Sequence, residues 1–325
     1  MNITILDDYF NTLRGLPCFA KLESFHVEVW NDHLQDVDLL VDRLKDTEVL
    51  VLFRERTAIT KALLDRLPRL KLISQRSVYP HVDVGTCSRN RVLLCSNMHA
   101  GTPSYAAAEL TWGLILSAMR QIPQQMKSLQ SGQWQMGVGK TLRGRTLGLY
   151  GYGRIAKAVA SYAEAFGMKV LWWASDEGRC RALEDGVSVA ASREEFFAEC
   201  DVISLHVRLK PDTRGCITPD DLGLMRADAL LVNTSRAGLL EPGSLLAALN
   251  NGRPGMAAID VYDVEPVTPD EDALISHPNV VCTPHIGYVT EDEYDLQFSD
   301  IFDQILAFAS GKPINVINPE GLAGS

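Results

Sequence analysis

The sequence lacks several features that would place it in a specialised class of protein. Its seven cysteines are scattered and form no CxxC pair, so we expect reduced thiols, no disulfide framework and no metal site. No apolar run reaches the roughly 18 residues that a membrane-spanning helix needs. Basic residues number 31 against 41 acidic ones, and the net charge of −10 disfavours nucleic acid or an anionic membrane as the main partner.

The amino terminus has neither the basic flank nor the long apolar core of a secretion signal, so we expect a cytoplasmic location. Hydrophobic residues make up 46% of the 325 positions and charged residues 22%, which is the balance of a folded globular protein. At about 150 residues per domain, this length predicts two domains.

Short apolar segments alternate with helical patterns through most of the chain. In the first hundred residues, strands are predicted at 3–6, 25–30, 49–53, 70–74 and 92–95, with helices at 38–45 and 60–67. A second alternation predicts strands at 146–150, 169–173, 187–190, 201–205, 229–233, 256–259 and 280–283, and a last helix at 291–309. Such alternation is typical of parallel, doubly wound sheets, so we predict an α/β fold with two of them.

A break containing glycine and proline at 98–103 precedes a long apolar helix at 104–119. Apolar side chains cover more of this helix than one sheet face would need. Either the helix is buried centrally or it packs on a second copy of the chain, and we favour a homodimer formed through it.

The segment Gly151-Tyr152-Gly153-Arg154-Ile155-Ala156 follows the predicted strand 146–150 and opens a predicted helix. In such a GxGxxA turn, the first glycine allows the tight turn and the second lets the backbone approach a pyrophosphate. The small third residue lets the helix pack on the sheet. The amino terminus of the helix then offers free N–H groups to the phosphates. Because the strand–turn–helix context is present, we predict a dinucleotide site here.

The position that would bind the adenosine ribose is unusual. Where an NAD-binding protein commonly has an acid, after the strand 169–173, the sequence has Ala174 and Ser175. Beyond them, Arg179 or Arg181 would accept the 2′-phosphate of NADP, or the two arginines are only the solvated face of a helix. Asp176 would instead bind the ribose of NAD. NAD and NADP therefore both remain open as the cofactor.

Three segments of the second half place a polar side chain just after a strand: Arg236 follows 229–233, Glu265 follows 256–259 and His285 follows 280–283. Loops at the carboxyl ends of parallel strands gather in one crevice. There, Arg236 would grip a substrate carboxylate, His285 would exchange a proton with the substrate oxygen, and Glu265 would stabilise the charged imidazole. This set predicts hydride transfer between a nicotinamide and a small 2-hydroxy or 2-keto acid.

The segments GYGRIA, NTSRAGLL, AAIDVYDVEP and TPHIGY, in this order and spacing, resemble those of the D-isomer-specific 2-hydroxyacid dehydrogenases, the family of phosphoglycerate, glycerate and D-lactate dehydrogenases. The resemblance covers almost the whole chain. It implies a flavodoxin-like substrate domain formed by residues 1–99 and 290–325, and a Rossmann NAD(P)-binding domain formed by residues 100–289. It also implies a dimer made through the long helix.

The resemblance assigns roles to individual residues. The family's catalytic arginine, glutamate and histidine fall on Arg236, Glu265 and His285, and its acceptor for the nicotinamide amide falls on Asp260. The cofactor contacts expected on this basis are Gly151, Tyr152, Gly153, Arg154, Ile155, Ser175, His206, Thr213, Thr234 and Asp260.

The expected substrate site departs from the family pattern. The family usually has a glycine-rich loop whose N–H groups hold the substrate carboxylate, but this sequence has Ser77-Val78-Tyr79, so we expect a narrower or differently shaped pocket. Arg54 and Arg56 follow one strand and Arg76 follows the next, in a stretch that resembles the RxRT of phosphoglycerate dehydrogenases. We predict from them a substrate with a second anionic group, such as 3-phosphoglycerate. The alternative is that these arginines form surface ion pairs of little energetic value.

Two other functions fit parts of the pattern. Transcriptional corepressors share the expected fold and similar residues, so a protein that senses a nucleotide without catalysis is one alternative. Oxidation of formate or phosphite on the same scaffold is the other. Formate dehydrogenases usually have glutamine at the position of Glu265, and the glutamate here therefore disfavours that activity.

Overall fold

The computed structural model describes residues 1–98 and 105–322. The predicted domain boundary at 99–100 and the first residue of the predicted helix 104–119 lie outside these residues. Within them, the chain divides into two units. The first unit contains residues 1–98 and 290–322, and the second contains residues 105–289.

The described residues form eleven strands and eleven α-helices. The strands are β1 (Asn2–Ile5), β2 (His26–Val29), β3 (Val49–Val51), β4 (Leu72–Arg76), β5 (Leu93–Asn97), β6 (Thr146–Tyr150), β7 (Lys169–Trp173), β8 (Val202–Leu205), β9 (Leu230–Asn233), β10 (Met256–Ile259) and β11 (Val280–Cys282). The helices are α1 (Val37–Leu44), α2 (Lys61–Leu64), α3 (Val84–Arg89), α4 (Ala106–Met119), α5 (Ile122–Gln130), α6 (Arg154–Ala165), α7 (Asp176–Glu184), α8 (Arg193–Glu199), α9 (Pro219–Leu224), α10 (Ser244–Asn250) and α11 (Glu291–Ala309).

The sheet of the first unit is parallel throughout and has the strand order β2-β1-β3-β4-β5. This is the 2-1-3-4-5 order of flavodoxin-like sheets. Its central strand β3 is completely buried, as expected for a strand covered on both faces. Helix α11 packs on β4, where the Ser74 hydroxyl donates a hydrogen bond to the carbonyl of Ile301 (2.9 Å). The carboxyl-terminal segment 290–322 is therefore part of this unit's core.

The helix α11 has the bounds that the sequence predicts, and local chemistry explains them. Thr290 caps its first turn by accepting a hydrogen bond from the Glu293 N–H (3.2 Å), and three acids in that turn favour the positive end of the helix dipole. Gly311 follows the helix with a φ of 75°, a left-handed conformation that favours glycine and ends the helix.

The sheet of the second unit is also parallel, with the order β11-β10-β9-β8-β6-β7. The predicted strand 187–190 is wrong as a full strand, because the segment makes only one bridge, between Trp172 and Val189. Two hydrogen bonds to Trp172 hold it beside β7, at the edge of the sheet. With this segment counted as a third strand, the order becomes the 3-2-1-4-5-6 of Rossmann sheets, extended by β11. The predicted fold class, two parallel doubly wound α/β sheets, is confirmed.

The apolar helix α4 is covered mainly by its own unit. Half of its residues are buried, and it packs on α6, β9, β10 and β11. This favours the central-burial alternative for most of the surface on which the homodimer prediction was based. The sequence analysis did not predict α5, which begins three residues after α4 ends, with Pro123 in its first turn, where proline is tolerated.

Within the part of the chain that the structure describes, no helix combines the length and apolar composition needed to cross a bilayer. All seven cysteines are free thiols.

Candidate active site

The second unit brings the three predicted catalytic residues to one edge of its sheet. Arg236, Glu265 and His285 follow β9, β10 and β11, and β10 pairs in parallel with both of the other strands. The carboxyl ends of neighbouring parallel strands lie side by side, so the loops that follow them share one edge of the sheet.

Glu265 and His285 form a hydrogen-bonded pair. His285 Nδ1 lies 2.6 Å from Glu265 Oε2, and the other carboxylate oxygen accepts the N–H of Tyr262 (3.0 Å). Burial opposes the charged form of Glu265. The hydrogen bond from His285, the Tyr262 N–H and the charge of Arg236 outweigh this, so the pKa of Glu265 lies below its usual value. Because Nδ1 is engaged by the carboxylate, Nε2 is the nitrogen available for proton exchange.

Buried polar groups position Arg236. The side chain of Asn233, which is almost fully buried, donates a hydrogen bond to the carbonyl of Arg236 (2.9 Å) and accepts one from the N–H of Ser235 (3.0 Å). The Arg236 Nη1 donates to the carbonyl of Ser235 (2.7 Å). The guanidinium is thus anchored on the backbone beside β9, at a position where its charge acts on Glu265.

Asp260 holds the turn that carries His285. This buried carboxylate accepts hydrogen bonds from the Thr283 hydroxyl (2.6 Å) and from the N–H groups of Ile286 (2.8 Å) and Gly287 (2.9 Å). Burial raises the pKa of Asp260 although these three donors oppose the shift. Asp260 is fully buried and its carboxylate serves this turn, so the contact with the nicotinamide amide that the sequence analysis assigned to it stays a prediction.

The glycine-containing turn joins β6 to α6 as predicted. Gly151 has a φ of 114°, and a Cβ there would lie 2.5 Å from the carbonyl oxygen of His206. Gly151 must therefore be glycine for the fold itself. Gly153 is different, because a Cβ at that position would meet no described atom of the chain within 4 Å. Tyr152 between them donates a hydrogen bond to Asp185 (2.5 Å), and Arg154 and Ile155 form the first turn of α6.

At the end of β7, Ala174 is nearly buried and Ser175 caps helix α7 through the N–H of Gly178 (3.3 Å). Arg179 pairs with Asp176 (2.6 Å) and lies over the ring of Trp173, at 4.2 Å from its centroid. Arg181 pairs with Glu177 (3.9 Å). Both arginines thus already have an acid on their own helix.

The remaining predicted cofactor residues lie on loops of the second unit. His206 follows β8, and its Nε2 lies 2.9 Å from the hydroxyl of Ser204. Burial lowers the pKa of His206 to about 4, so its ring is neutral near pH 7. Thr213 bonds within its own loop, to Lys210 and Arg208, and the Thr234 hydroxyl lies 2.7 Å from that of Thr111 on α4.

In the first unit, the segment Ser77-Val78-Tyr79 follows β4. Ser77 has a φ of 76°, a left-handed conformation that favours glycine. The buried Gln75 donates hydrogen bonds to the carbonyls of Ser77 (3.1 Å) and Val78 (3.2 Å). Among residues 1–98 and 105–322, the N–H groups of Val78 and Tyr79 have no acceptor. These two donors are thus available to a ligand.

The three arginines of the predicted anion pocket have different surroundings. Arg76 bonds to Asp300 (2.9 Å) and lies 3.6 Å from Glu293, so two acids of α11 compensate its charge. Arg56 donates to the carbonyl of Asp7 (2.5 Å) and lies over the ring of Tyr9. Arg54 follows β3 and has a φ of 67°.

The family model for the NAD-binding domain of D-isomer specific 2-hydroxyacid dehydrogenases matches residues 112–287. The chain belongs to this family. The predicted family is thus confirmed. So is the predicted enzyme class, an oxidoreductase that uses a nicotinamide cofactor and acts on 2-hydroxy acids.

Several relatives cover nearly all of the chain. A glyoxylate reductase of Aeropyrum pernix is 32% identical over 96% of this chain and 96% of its own length. A D-3-phosphoglycerate dehydrogenase of Methanocaldococcus jannaschii is 34% identical over 86% of this chain, which spans 53% of that longer protein. A solved phosphoglycerate oxidoreductase from Vibrio cholerae O395 is 45% identical and covers 96% of this chain and 99% of its own, with a TM-score of 0.89.

The sequence analysis missed several residues that shape the site. Asn233 and Gln75 are buried amides that fix the backbone beside Arg236 and Ser77. Tyr262 and Thr283 contact the segments that carry Glu265 and His285. Tyr262 lies within the AAIDVYDVEP segment, but nothing in the local pattern shows what its hydroxyl contacts. In the described part of the chain, no group of three or more His, Cys, Asp or Glu side chains is arranged to bind a metal ion.

Proposed function

We propose that this enzyme interconverts a D-2-hydroxy acid and its 2-keto acid, with Arg236, Glu265 and His285 at the reacting centre. The observation that carries the proposal is the 2.6 Å contact between Glu265 and His285 beside the charge of Arg236. His285 donates a proton to the substrate oxygen during reduction and removes it during oxidation. Glu265 orients the imidazole and stabilises its protonated form, and Arg236 holds the substrate carboxylate through its planar guanidinium.

The second unit, residues 105–289, is the proposed NAD(P)-binding domain, and the first unit is the proposed substrate domain. The best support is Gly153, where the chain leaves space that a side chain would fill and has no φ that demands glycine. A pyrophosphate that approaches the backbone explains a glycine there. The nicotinamide supplies or accepts the hydride when it is bound.

Two glycine substitutions separate the needs of the fold from those of the dinucleotide. Gly153→Ala is expected to leave the melting temperature unchanged and to weaken NAD or NADP binding about tenfold, measured by calorimetry. Gly151→Ala is expected to lower the free energy of unfolding by about 2 kcal/mol, because its Cβ would collide with the carbonyl of His206. Unchanged nucleotide binding in Gly153→Ala would contradict the proposed pyrophosphate position.

We propose that the enzyme uses both NAD and NADP. Position 174 is an alanine rather than an acid that would repel a 2′-phosphate, and this supports the use of NADP. The exposed pair between Arg179 and Asp176 is worth little in water, so Arg179 can exchange its partner for a phosphate. Arg179→Ala is expected to lower kcat/KM with NADPH several-fold and to leave kcat/KM with NADH within about twofold. Equal losses with both cofactors would refute this assignment.

The proposed substrate is a short 2-keto acid that carries a second polar or anionic group. The free N–H groups of Val78 and Tyr79 support binding of its carboxylate, and Arg54 is the proposed contact for the second group. We leave Arg76 out of this contact because Asp300 and Glu293 compensate its charge. Two relatives support this substrate class, because they are named glyoxylate reductase and D-3-phosphoglycerate dehydrogenase.

A substrate panel tests the function directly. Glyoxylate, hydroxypyruvate, phosphohydroxypyruvate and pyruvate are each assayed with NADH and with NADPH, beside the His285→Asn variant as the background. We expect turnover of at least one substrate with a second polar group, at a higher kcat/KM than that of pyruvate. Nucleotide binding without turnover of any substrate would instead favour a nucleotide sensor.

The homodimer is proposed on a surface next to the predicted helix. Between residues 122 and 138, six large apolar side chains are exposed: Ile122, Met126, Leu129, Trp134, Met136 and Val138. So many exposed apolar side chains in one short segment support an interface between copies of the chain. The mass in solution, from light scattering, is expected to be twice that of one chain and to fall for the double variant Leu129→Ser/Trp134→Ser. Leu39→Ser, at an exposed leucine of α1, is the matched control.

A cytoplasmic location is also proposed. The seven free thiols support it, because the cytosol keeps thiols reduced. Cell fractionation tests the location.

A further inference from the structure

The backbone of His285 has an unfavourable conformation that needs support. Its φ is 54°, in the left-handed region of the backbone that residues with a Cβ rarely adopt. Asp260 supports the turn on both sides of His285, through the Thr283 hydroxyl and the N–H groups of Ile286 and Gly287. These contacts fix the flanks of the turn.

Tyr262 supports the same turn from the loop that carries Glu265. Its hydroxyl donates a hydrogen bond to the carbonyl of Thr283 (3.0 Å), and this carbonyl also accepts the N–H of His285 (3.0 Å). The carbonyl that fixes the His285 backbone is therefore tied to Tyr262. Burial raises the pKa of Tyr262, so its hydroxyl stays protonated and remains a donor.

Tyr262 also contacts Glu265, the partner of His285 in the hydrogen-bonded pair. Its backbone N–H donates to Glu265 Oε1 (3.0 Å), the carboxylate oxygen that His285 does not use. The ring of Tyr262 packs against the buried cluster on one face of the sheet, which anchors both of its hydrogen bonds. One residue thus links the carboxylate after β10 to the imidazole after β11.

We propose that Tyr262 is a positioning residue. It holds the carboxylate of Glu265, after β10, and the imidazole of His285, after β11, at hydrogen-bonding distance from each other. The proposal rests on the proposed function of that pair. The other charged groups that act on the pair are Arg236, beside Glu265, and Asp260, beside His285, and the ring of Tyr288 packs edge-on against the imidazole. Tyr262 contacts both the carboxylate and the segment that carries the imidazole.

Tyr262→Phe tests this role because phenylalanine keeps the packed ring and removes only the hydroxyl. We expect kcat for keto-acid reduction to fall about three- to tenfold, the effect of one lost hydrogen bond, with KM for both substrates within about twofold. We also expect the pH at which reduction falls to half its maximum to move to a lower value, because a loosened turn at Thr283 holds the imidazole of His285 less well against Glu265, which then stabilises its protonated form less. Tyr150→Phe is the matched control. It removes a tyrosine hydroxyl that accepts a hydrogen bond from Arg193 (2.7 Å) in the same unit, and it should leave kcat and the pH profile unchanged.

A double-variant cycle with Glu265→Gln separates this proposal from the proposed function. If Tyr262 acts through the pair, adding Tyr262→Phe to Glu265→Gln causes no further shift of the pH profile. If Glu265→Gln lowers activity but Tyr262→Phe changes only the melting temperature, the positioning role is refuted and the proposed function stands. If Glu265→Gln leaves activity and its pH profile unchanged, the proposed function itself fails.

Discussion

Each unit of this enzyme has a carboxylate–imidazole pair at the carboxyl ends of its strands. In the second unit, Glu265 and His285 lie 2.6 Å apart. In the first unit, Asp7 and His33 lie 2.9 Å apart, after β1 and β2. Both pairs join a carboxylate to an imidazole, but the side chain of Glu265 is 35% exposed and that of Asp7 only 3%.

The neighbours of the two carboxylates explain this difference. Asp7 also accepts the hydroxyl of Thr57 (2.7 Å), and its backbone carbonyl accepts a hydrogen bond from Arg56 (2.5 Å). It therefore joins loops within the first unit, which is a structural task. Glu265 instead has the N–H of Tyr262 as its other partner and lies close to the charge of Arg236. The imidazoles do not differ in this way, since the side chain of His33 is 36% exposed and that of His285 26%. The second unit's pair is suited to proton transfer because it has the charge of Arg236 beside it as a substrate anchor, whereas the carboxylate of the first pair is occupied by structural contacts.

The largest expected effect separates the two imidazoles. His285→Asn removes the proposed proton donor and is expected to lower kcat by about 10²–10⁴-fold, the usual contribution of a general acid. His33→Asn keeps a hydrogen-bond donor for Asp7 and is expected to change kcat by less than about threefold. Steady-state kinetics with the best keto acid measure both. Comparable losses in the two variants would mean that the first unit's pair also takes part in the chemistry.

The two carboxylates should differ in their effect on pH dependence. Glu265→Gln is expected to lower kcat/KM for reduction by about 10–100-fold and to move the alkaline limit of activity to lower pH, because the protonated imidazole loses its charged partner. Asp7→Asn is expected to lower the melting temperature and leave that limit in place. Profiles of kcat/KM between pH 5 and 10 make the comparison.

The same pair makes a contribution to stability whose sign follows from the pKa of Glu265. That pKa lies below its usual value of 4.5, so the contribution is fully present above pH 4.5 and is lost as the pH falls through the lowered pKa. Glu265→Gln should therefore lower the free energy of unfolding at neutral pH. In acid, the free energy of unfolding of the variant should fall less steeply with pH than that of the unmodified protein. Urea unfolding at pH 7 and pH 4 measures this, and an equal destabilisation at both values would contradict it.

Much of the fold could be predicted from the sequence because it depends on local patterns. Buried parallel strands appear in the sequence as short apolar runs. The bounds of α11 follow from a capping threonine before the helix and a glycine after it. The segment 187–190 has the apolar pattern of a strand, but it lies at the sheet edge and pairs through one residue. A residue pattern does not show how many hydrogen bonds an edge segment forms.

The contact between Glu265 and His285 could be predicted from the sequence because both residues follow strands whose carboxyl ends share an edge of the sheet. The partners of Arg76 could not be predicted, since Glu293 and Asp300 lie on a helix more than 200 positions further along the chain. The hydroxyl contact of Tyr262 was missed for the same reason. Such contacts depend on how separate elements pack, which spacing and composition do not encode.

The smallest expected effect separates two arginines of the first unit. Arg54→Ala is expected to raise KM for phosphohydroxypyruvate about tenfold and KM for pyruvate by less than about twofold, because only the first substrate carries a second anion. Arg76→Met removes the cation beside Glu293 and Asp300, so it is expected to lower the melting temperature and to change both KM values equally. If Arg76→Met were as selective as Arg54→Ala, the two acids of α11 would not prevent Arg76 from binding substrate. The first unit would then contribute a wider anion site than its internal ion pairs indicate.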